Sequence, residues 1–472
     1  MVYISAFRWQ TLLWALLSLA GRALSQQECT NVTISSAADA DAIRKTCKTI
    51  LGNLVFAETF TGTGTVSLDG IEIIQGNIWH EIDDIYKCKD SPDESPCSAK
   101  FTISSSTLRF VNGTLYFWGF DGLESLVLPN LNRVQGSFSL NHLYQLGTLD
   151  VTGLQYVENF QLSAQNLEKF SIDGLQEFTG PRNGHVSVFG DKLDNVDGLF
   201  MNNLDPWKNH SSGGSYDNWM QTGMGVSLNL PNIKTVTFGW RRVPSFRFNP
   251  PNPPAGVVFG GPNTTEMEIG EVRLGFGMAQ VDRHKQVKKL AARSLEVREA
   301  TDLQTLNVPF DSLGSLDVFS APSLTTVTLP PEAENWNMSK LSILDCPQVN
   351  LTSEYSMRND ERIKTWYWPK SDFDNIAIQG KLSNEFFESF LAPPVPRVRG
   401  HFFVGDTTGN LDCGIFAKAQ ADSGNTTFPK NKVGCISRNE NSGPRLGNHF
   451  GGGSPAWQVV LVGIAMMATT VL

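Results

Sequence analysis

The sequence predicts a mainly β protein: a right-handed parallel β-solenoid of leucine-rich-repeat type with helical caps. Three observations carry this expectation. An apolar–polar–apolar triplet returns in Leu126-Val127-Leu128, Phe138-Ser139-Leu140, Leu149-Asp150-Val151 and Phe160-Gln161-Leu162, at steps of 12, 11 and 11 residues. Strict alternation over three residues is a short strand with two side chains in and one out. The connectors keep apolar residues at regular steps, Leu131 and Val134, Leu143 and Leu146, Leu154 and Val157. A chain that keeps pointing residues inward as it turns corners is wound round one core. Two triplets make 21–23 residues, close to one leucine-rich-repeat turn.

The pattern continues beyond that stretch. Phe170-Ser171-Ile172, Val186-Ser187-Val188, Val226-Ser227-Leu228 and Val236-Thr237-Phe238 extend it. Leu295-Glu296-Val297, Leu306-Asn307-Val308, Leu316-Asp317-Val318, Val327-Thr328-Leu329 and Leu341-Ser342-Ile343 follow. Stacked coils place these strands in parallel sheets along the solenoid. Leu126, Leu128, Phe138, Leu140, Leu149, Val151, Phe160 and Leu162 are expected inside. Val127, Ser139, Asp150 and Gln161 are expected at the surface. Met338, Leu341, Ile343, Cys346 and Val349 fit the leucine-rich-repeat frame, which makes Cys346 an inward, unpaired thiol.

A solenoid exposes its core at each end unless it is capped. Residues 29–55 can close the first coil, with "DADAIRKTC" as a short helix. Leu382–Pro394 can close the last, with Asn384 as N-cap and Phe386, Phe387, Phe390 and Leu391 as its apolar stripe. The repeat is interrupted by the acidic loop at 81–97 and by stretches at 200–225 and 244–265, rich in Gly, Pro, Asn and Trp. Long loops of this kind are functional sites or tolerated surface insertions.

Both termini read as addresses. Residues 1–25 combine Arg8, the apolar run Leu12–Ala20 and a small-residue cleavage site, with cleavage after Ser25: a secretory signal peptide. At the other end Asn441-Ser442-Gly443 is followed by a polar spacer and the apolar tail 456–472. Small residues, spacer and terminal tail are the parts of a glycosylphosphatidylinositol (GPI) signal, with attachment at Asn441 and 442–472 removed. The rival is a short transmembrane helix, but no Lys or Arg follows the tail to hold a cytoplasmic end. The mature chain, 26–441, carries 35 basic and 47 acidic residues. That balance argues against nucleic acid and against anionic membrane surfaces.

Secretion permits disulfides. Cys29/Cys47, Cys88/Cys97 and Cys413/Cys435 are sequence-local couples and the expected bridges, although spacing alone leaves the pairing open. No CxxC or HxxxH pattern accompanies them, so no metal or other cofactor is expected. Seven sequons, at Asn31, Asn112, Asn209, Asn263, Asn337, Asn350 and Asn425, mark a glycoprotein with those loops exposed.

Parallel solenoids also carry polysaccharide-active enzymes, which need two or three carboxylates on one face. The sequence offers one such pair, Glu296 and Asp317, 21 residues apart. The plainer reading is two solvated acids, the usual occupants of outward strand positions. "WHEIDD" (79–84) reads as a solvated polar loop, and His185 as a packed or exposed histidine. The glycines of "GTGTVSLDG" (62–70) have no helix behind them to hold phosphate. No catalytic set is expected.

"CTNVTISSAADADAIRKTCKTILGNLVF", "GLESLVLPNLNRVQGSFSLNHLYQLGTLDVTGLQYV" and "FDNIAIQGKLSNEFFESF" together resemble the fungal GPI-anchored cell-wall organisation proteins, whose fold is like the receptor L domain. The resemblance spans roughly 29–405 plus both targeting signals. It implies a receptor L-domain-like solenoid over 26–405 and a C-terminal segment over 406–441. It also implies a non-enzymatic role in wall integrity. The implied partners are wall glucan, mannoprotein or other surface proteins, with the GPI lipid in the outer leaflet of the plasma membrane. The chain departs from the family in lacking a Ser/Thr-rich stalk at 406–441. This favours a protein held close to the plasma membrane over one cross-linked into the wall. A receptor-like ligand module is a further reading, but a lipid anchor requires a separate signalling partner.

Overall fold

The structure, a computed structural model, describes residues 27–437 except 59, 61, 81–99, 121, 180–183, 201–202, 209–223, 251–253, 424–426 and 429–432. The signal peptide, Cys88, Cys97, Asn209, Asn425, Asn441 and the apolar tail lie outside the described residues. The chain divides into two compact units, Met1–Ser312 and Leu313–Leu472. The fold is mainly β, and its ladders are those of a parallel solenoid.

In the first unit each early coil contributes to three parallel sheets. Leu123–Val127, Arg133–Val134 and Ser137–Asn141 make one coil, and Thr148–Asp150, Tyr156–Val157 and Asn159–Ser163 the next. The registers are Leu126 on Leu149, Arg133 on Tyr156 and Phe138 on Phe160, so each coil repeats after 22 or 23 residues. The connectors that keep apolar residues inward therefore contain a third, two-residue strand. All eight triplet positions expected inside are buried. Val127, Asp150 and Gln161 are half-exposed. Ser139 departs from expectation and is buried. Its short side chain sits in the ladder between Tyr116 and Gln161. Ser139 Oγ donates to Gln161 Oε1 at 3.2 Å, and Asn141 Nδ2 donates to it at 2.7 Å, so longer neighbours cover it.

The coils are tied together at a corner built from Gly-Asn and Gly-Thr pairs. Asn53 N donates to Asn31 Oδ1 at 2.8 Å, Asn77 N to Asn53 Oδ1 at 2.8 Å and Thr114 N to Asn77 Oδ1 at 2.7 Å. Beside this side-chain ladder, Gly76 N donates to Gly52 O and Gly113 N to Gly76 O, both at 3.0 Å. A Cβ on Gly113 would stand 2.3 Å from Asn77 Oδ1 and 2.6 Å from Gly76 O. The Gly76 carbonyl is fixed in the ladder and cannot yield. Gly113→Ala preserves the Asn112 sequon, yet should destabilise the first unit by about 1–3 kcal/mol, the usual cost of overpacking. Urea unfolding of the variant would read this directly.

The helix predicted near the start is Ala37–Thr46. Ser36 caps it, accepting from Asp39 N at 3.3 Å, and Cys47 is bridged to Cys29. Residues 244–265, read from sequence as an interruption, instead continue the ladders. Arg242–Phe248 pairs with Gly225–Asn229, and Ala255–Phe259 pairs with Thr235–Phe238. Phe246, Phe248, Val257 and Phe259 are all buried, an alternation that the surrounding Pro and Gly residues obscure.

The second unit begins within the strand Ser312–Phe319, which pairs in parallel with Lys340–Leu344, followed by Phe373–Leu382, Val398–Asp406 and Val433–Ser437 in that order. The ladder thus runs past residue 405, where the sequence reading ended the solenoid. Phe402, Phe416 and Phe428 pack together there, with Phe402–Phe428 centroids 4.6 Å apart. Cys413 is bridged to Cys435. Met338, Leu341, Ile343, Cys346 and Val349 are buried as the repeat frame requires. Cys346 is a free thiol, and burial pushes its pKa up to about 11. The segment at 382–394 forms a short 3-10 turn, Asn384–Phe387, running into Glu388–Leu391. Ser383 occupies the N-cap position, not Asn384, whose Oδ1 instead accepts from Asp412 N at 2.8 Å. The sequence also gave no sign of the antiparallel hairpin Tyr355–Arg358 with Glu361–Lys364, turned by Asn359 and Asp360 at positive φ.

Candidate functional site

The first unit's broadest sheet separates two kinds of surface. Its strands Val32–Ile34, Leu54–Phe56, Ile78–His80, Leu115–Trp118, Ser137–Asn141, Asn159–Ser163, His185–Phe189 and Gly225–Asn229 contain no Asp, Glu, Lys or Arg. The next strands, Arg242–Phe248, Glu266–Gly275 and Lys289–Arg298, carry many. The other two sheets of the early coils are charged as well, with Lys48 and Arg133 in one and Glu124, Asp150 and Lys169 in the other. An outward β position ordinarily takes charge for solubility. Eight consecutive paired strands lack it; Leu54–Phe56 among them is wholly buried, and the others form a distinct surface.

One outward row of that surface follows the register from Trp79 through Tyr116, Ser139, Gln161 and Ser187 to Ser227, and then meets Arg247 and Arg273. Two residues further along the strands lie Trp118, Asn141, Ser163, Phe189 and Asn229. The face is therefore hydroxyl- and amide-bearing, with aromatic rings at its margin. Tyr116 and Trp118 have centroids 6.0 Å apart, Trp118 and His142 5.3 Å, and His142 and Tyr144 6.3 Å. All four rings are partly exposed.

Backbone geometry sets this aromatic run. His142 follows the strand Ser137–Asn141 in the left-handed region, φ 54°, where the preceding coil has Gly119 at φ 58°. A non-glycine residue there is uncommon. The turn brings His142 against Trp118. Beyond it His142, Leu143, Tyr144, Ser163, Gln165 and Phe189 line a shallow, half-open cleft of about 330 Å³. Its walls hold rings, a hydroxyl and an amide, and no carboxylate or ammonium.

The acids singled out from sequence behave differently. Glu296, in the first unit, pairs with Arg298 and lies 3.7 Å from Arg273 Nε. Asp317, in the second unit, accepts from Lys340 Nζ at 2.6 Å. Each carboxylate is engaged by a cation of its own unit, as surface ion pairs are. His80 is not in a solvated loop. It ends a strand, is buried, and stacks on Phe120 with centroids 4.0 Å apart. Burial pushes its pKa down to about 4, against a hydrogen bond to the Trp118 backbone. His185 is half-exposed in its strand. Among the described residues no group of three or more His, Cys, Asp or Glu could hold a metal ion. Asn31, Asn112, Asn263, Asn337 and Asn350 are exposed, and none lies in the charge-free strands.

In the sequence the outward triplet positions draw the eye for their acids, Glu296 and Asp317, and not for the absence of charge. The signal was present in "LYFW", "SFSLN", "NFQLS", "HVSVF" and "GVSLN", but only the register shows that these segments are neighbours.

The chain is similar to the protein ecm33 of Aspergillus fumigatus, at 24% identity over 327 residues, 68% of this chain and 69% of the relative. No known protein-family profile matches the chain. No solved structure matches it. Among the described residues no helix is long and apolar enough to cross a membrane.

Proposed function

We propose that this chain is a non-enzymatic, GPI-anchored cell-surface glycoprotein that supports fungal cell-wall organisation and integrity, its solenoid binding wall polysaccharide or other surface proteins. The observation that carries the reading is the extended charge-free sheet face with its aromatic margin, a surface suited to holding a polymer rather than cleaving one. The similarity to ecm33, the exposed sequon asparagines and the two terminal signals support the setting. Attachment at Asn441 follows from the small residues Asn441-Ser442-Gly443 and the spacer before residue 456.

The test begins at the membrane. Treating intact cells with a phosphatidylinositol-specific phospholipase should release nearly all of the protein from the surface. Deleting it should sensitise the cells to wall-perturbing dyes. Retention of the chain, with residues 456–472 still detectable by mass spectrometry, would show a membrane-spanning tail instead. Turnover of a wall polysaccharide by the purified protein, lost in Glu296→Gln, would replace the scaffold reading with an enzyme.

A further inference from the structure

We infer that the charge-free face is a binding site for an uncharged polysaccharide, with the Trp118–His142–Tyr144 rings and the adjoining cleft as its anchoring subsite. The inference rests on the wall-organising reading and adds the chemical class of ligand and the residues that hold it.

Charge argues first. An anionic polymer bound across a surface of this size would call for fixed positive charges for steering and register. The eight strands provide none, whereas the adjoining strands from Arg242 onward are dense with them. An uncharged polyol asks instead for many weak hydrogen-bonding groups without ionic cost. Asn141, Gln161, Ser163, Ser187, Ser227 and Asn229, none of them buried, are of that kind. Hydroxyls and amides both donate and accept, matching a ligand whose hydroxyls do the same.

The rings argue next. The apolar C–H face of a pyranose packs on an aromatic plane, and rings with an apolar body and a polar tip suit that role. Trp118, His142 and Tyr144 stand in succession at 5.3 and 6.3 Å. The run ends at a cleft of about 330 Å³ edged by Ser163, Gln165 and Phe189, within the usual size range of small-ligand pockets. One sugar would stack in the cleft while its neighbours follow the hydroxyl rows across parallel strands spaced about 4.8 Å apart. No sequon asparagine lies in these strands, and the nearest, Asn31, immediately precedes the outermost of them, Val32–Ile34.

The experiment uses full-length protein purified in detergent and immobilised. Soluble laminarin and mannan are the neutral probes, polygalacturonate the anionic one. A neutral polymer should bind, with affinity unchanged between low and high salt, and polygalacturonate should not. Tyr144→Ala and Trp118→Ala should each weaken binding about fivefold to tenfold, the loss expected for one aromatic contact. Gln165→Ala should weaken it less, and Arg247→Ala, on a charged strand, should leave it unchanged. If Trp118→Ala fails to fold, Tyr144→Ala and Gln165→Ala carry the comparison, each with an unaltered melting curve. Binding of polygalacturonate alone, neutral-polymer binding indifferent to both ring substitutions, or binding only to a protease-sensitive partner overturns the inference. The cellular arm separates this from the broader reading. A Tyr144→Ala, Trp118→Ala allele that fully restores dye tolerance overturns the polysaccharide site and leaves the wall role standing. Deletion cells with normal dye tolerance overturn the wall role, whatever the purified protein binds.

Discussion

Asp406→Ala will unfold the second unit far more readily than any surface substitution, by about 3–5 kcal/mol, the scale for dismantling a buried charged hydrogen-bond network. Asp406 is buried. Its Oδ1 accepts from Leu382 N at 3.1 Å, Thr408 N at 2.9 Å and Thr408 Oγ1 at 2.8 Å. Its Oδ2 accepts from Asn410 N at 2.7 Å, Leu411 N at 3.1 Å and Ser437 Oγ at 2.9 Å. One carboxylate thereby joins the strands Phe373–Leu382, Val398–Asp406 and Val433–Ser437. Alanine leaves four backbone N–H groups without their acceptor, and unmade buried bonds are costly. Asp406→Asn should recover only part of the loss, because its NH₂ must face donors on one side.

The pH dependence has a definite sign. Burial raises the Asp406 pKa. The backbone N–H and hydroxyl of Thr408 and the N–H groups of Leu382 and Leu411 outweigh it and leave the pKa below the ordinary 3.8. A depressed folded-state pKa means stabilisation fully present above 3.8 and lost as pH falls through the folded value. The gap between wild type and Asp406→Ala in thermal unfolding should hold steady near neutrality and close in strong acid. A gap that widened in acid would refute the network account.

Phe138→Ala will have a comparable effect on the first unit, about 3–5 kcal/mol for an aromatic core truncation. Phe138 is fully buried and stacks on Phe160 with centroids 5.3 Å apart and planes 3° apart. In the ladder it stands between Leu115 and Phe160, so its loss opens a void along the solenoid's axis. Coils above and below cannot close it without breaking their parallel register. Phe138→Leu, which keeps much of the volume, should cost less than about 1.5 kcal/mol. Guanidinium unfolding followed by tryptophan fluorescence would separate the two, and equal losses would mean that Phe138 is not packed as described.

Much of the fold was legible because a solenoid's instructions are local. Leu126, Leu128, Phe138 and Leu140 declare their burial through period-two alternation, and the 22–23 residue coil follows from counting. Cys29–Cys47 and Cys413–Cys435 were legible because each bridge spans a short stretch. Cys346 was legible because its slot in the repeat frame points inward. Residues 244–265 were misread because Pro and Gly dominate their composition, while the buried positions Phe246, Phe248, Val257 and Phe259 carry the fold.

The charge-free face lies beyond such reading. Alternation tells in from out, but not which of three sheets a triplet joins; the corner geometry settles that. Trp79, Tyr116, Ser139, Gln161, Ser187 and Ser227 span about 150 residues of chain, and register alone makes them one row. The same holds for His142, whose left-handed turn sets it against Trp118, and for Glu296, whose outward acid is matched by Arg273 and Arg298. By itself the sequence determined the period, the inward residues and the local bridges, since each depends on neighbours within one coil. Only the tertiary structure decided which outward residues share a surface, because that depends on hydrogen bonds between coils more than twenty residues apart.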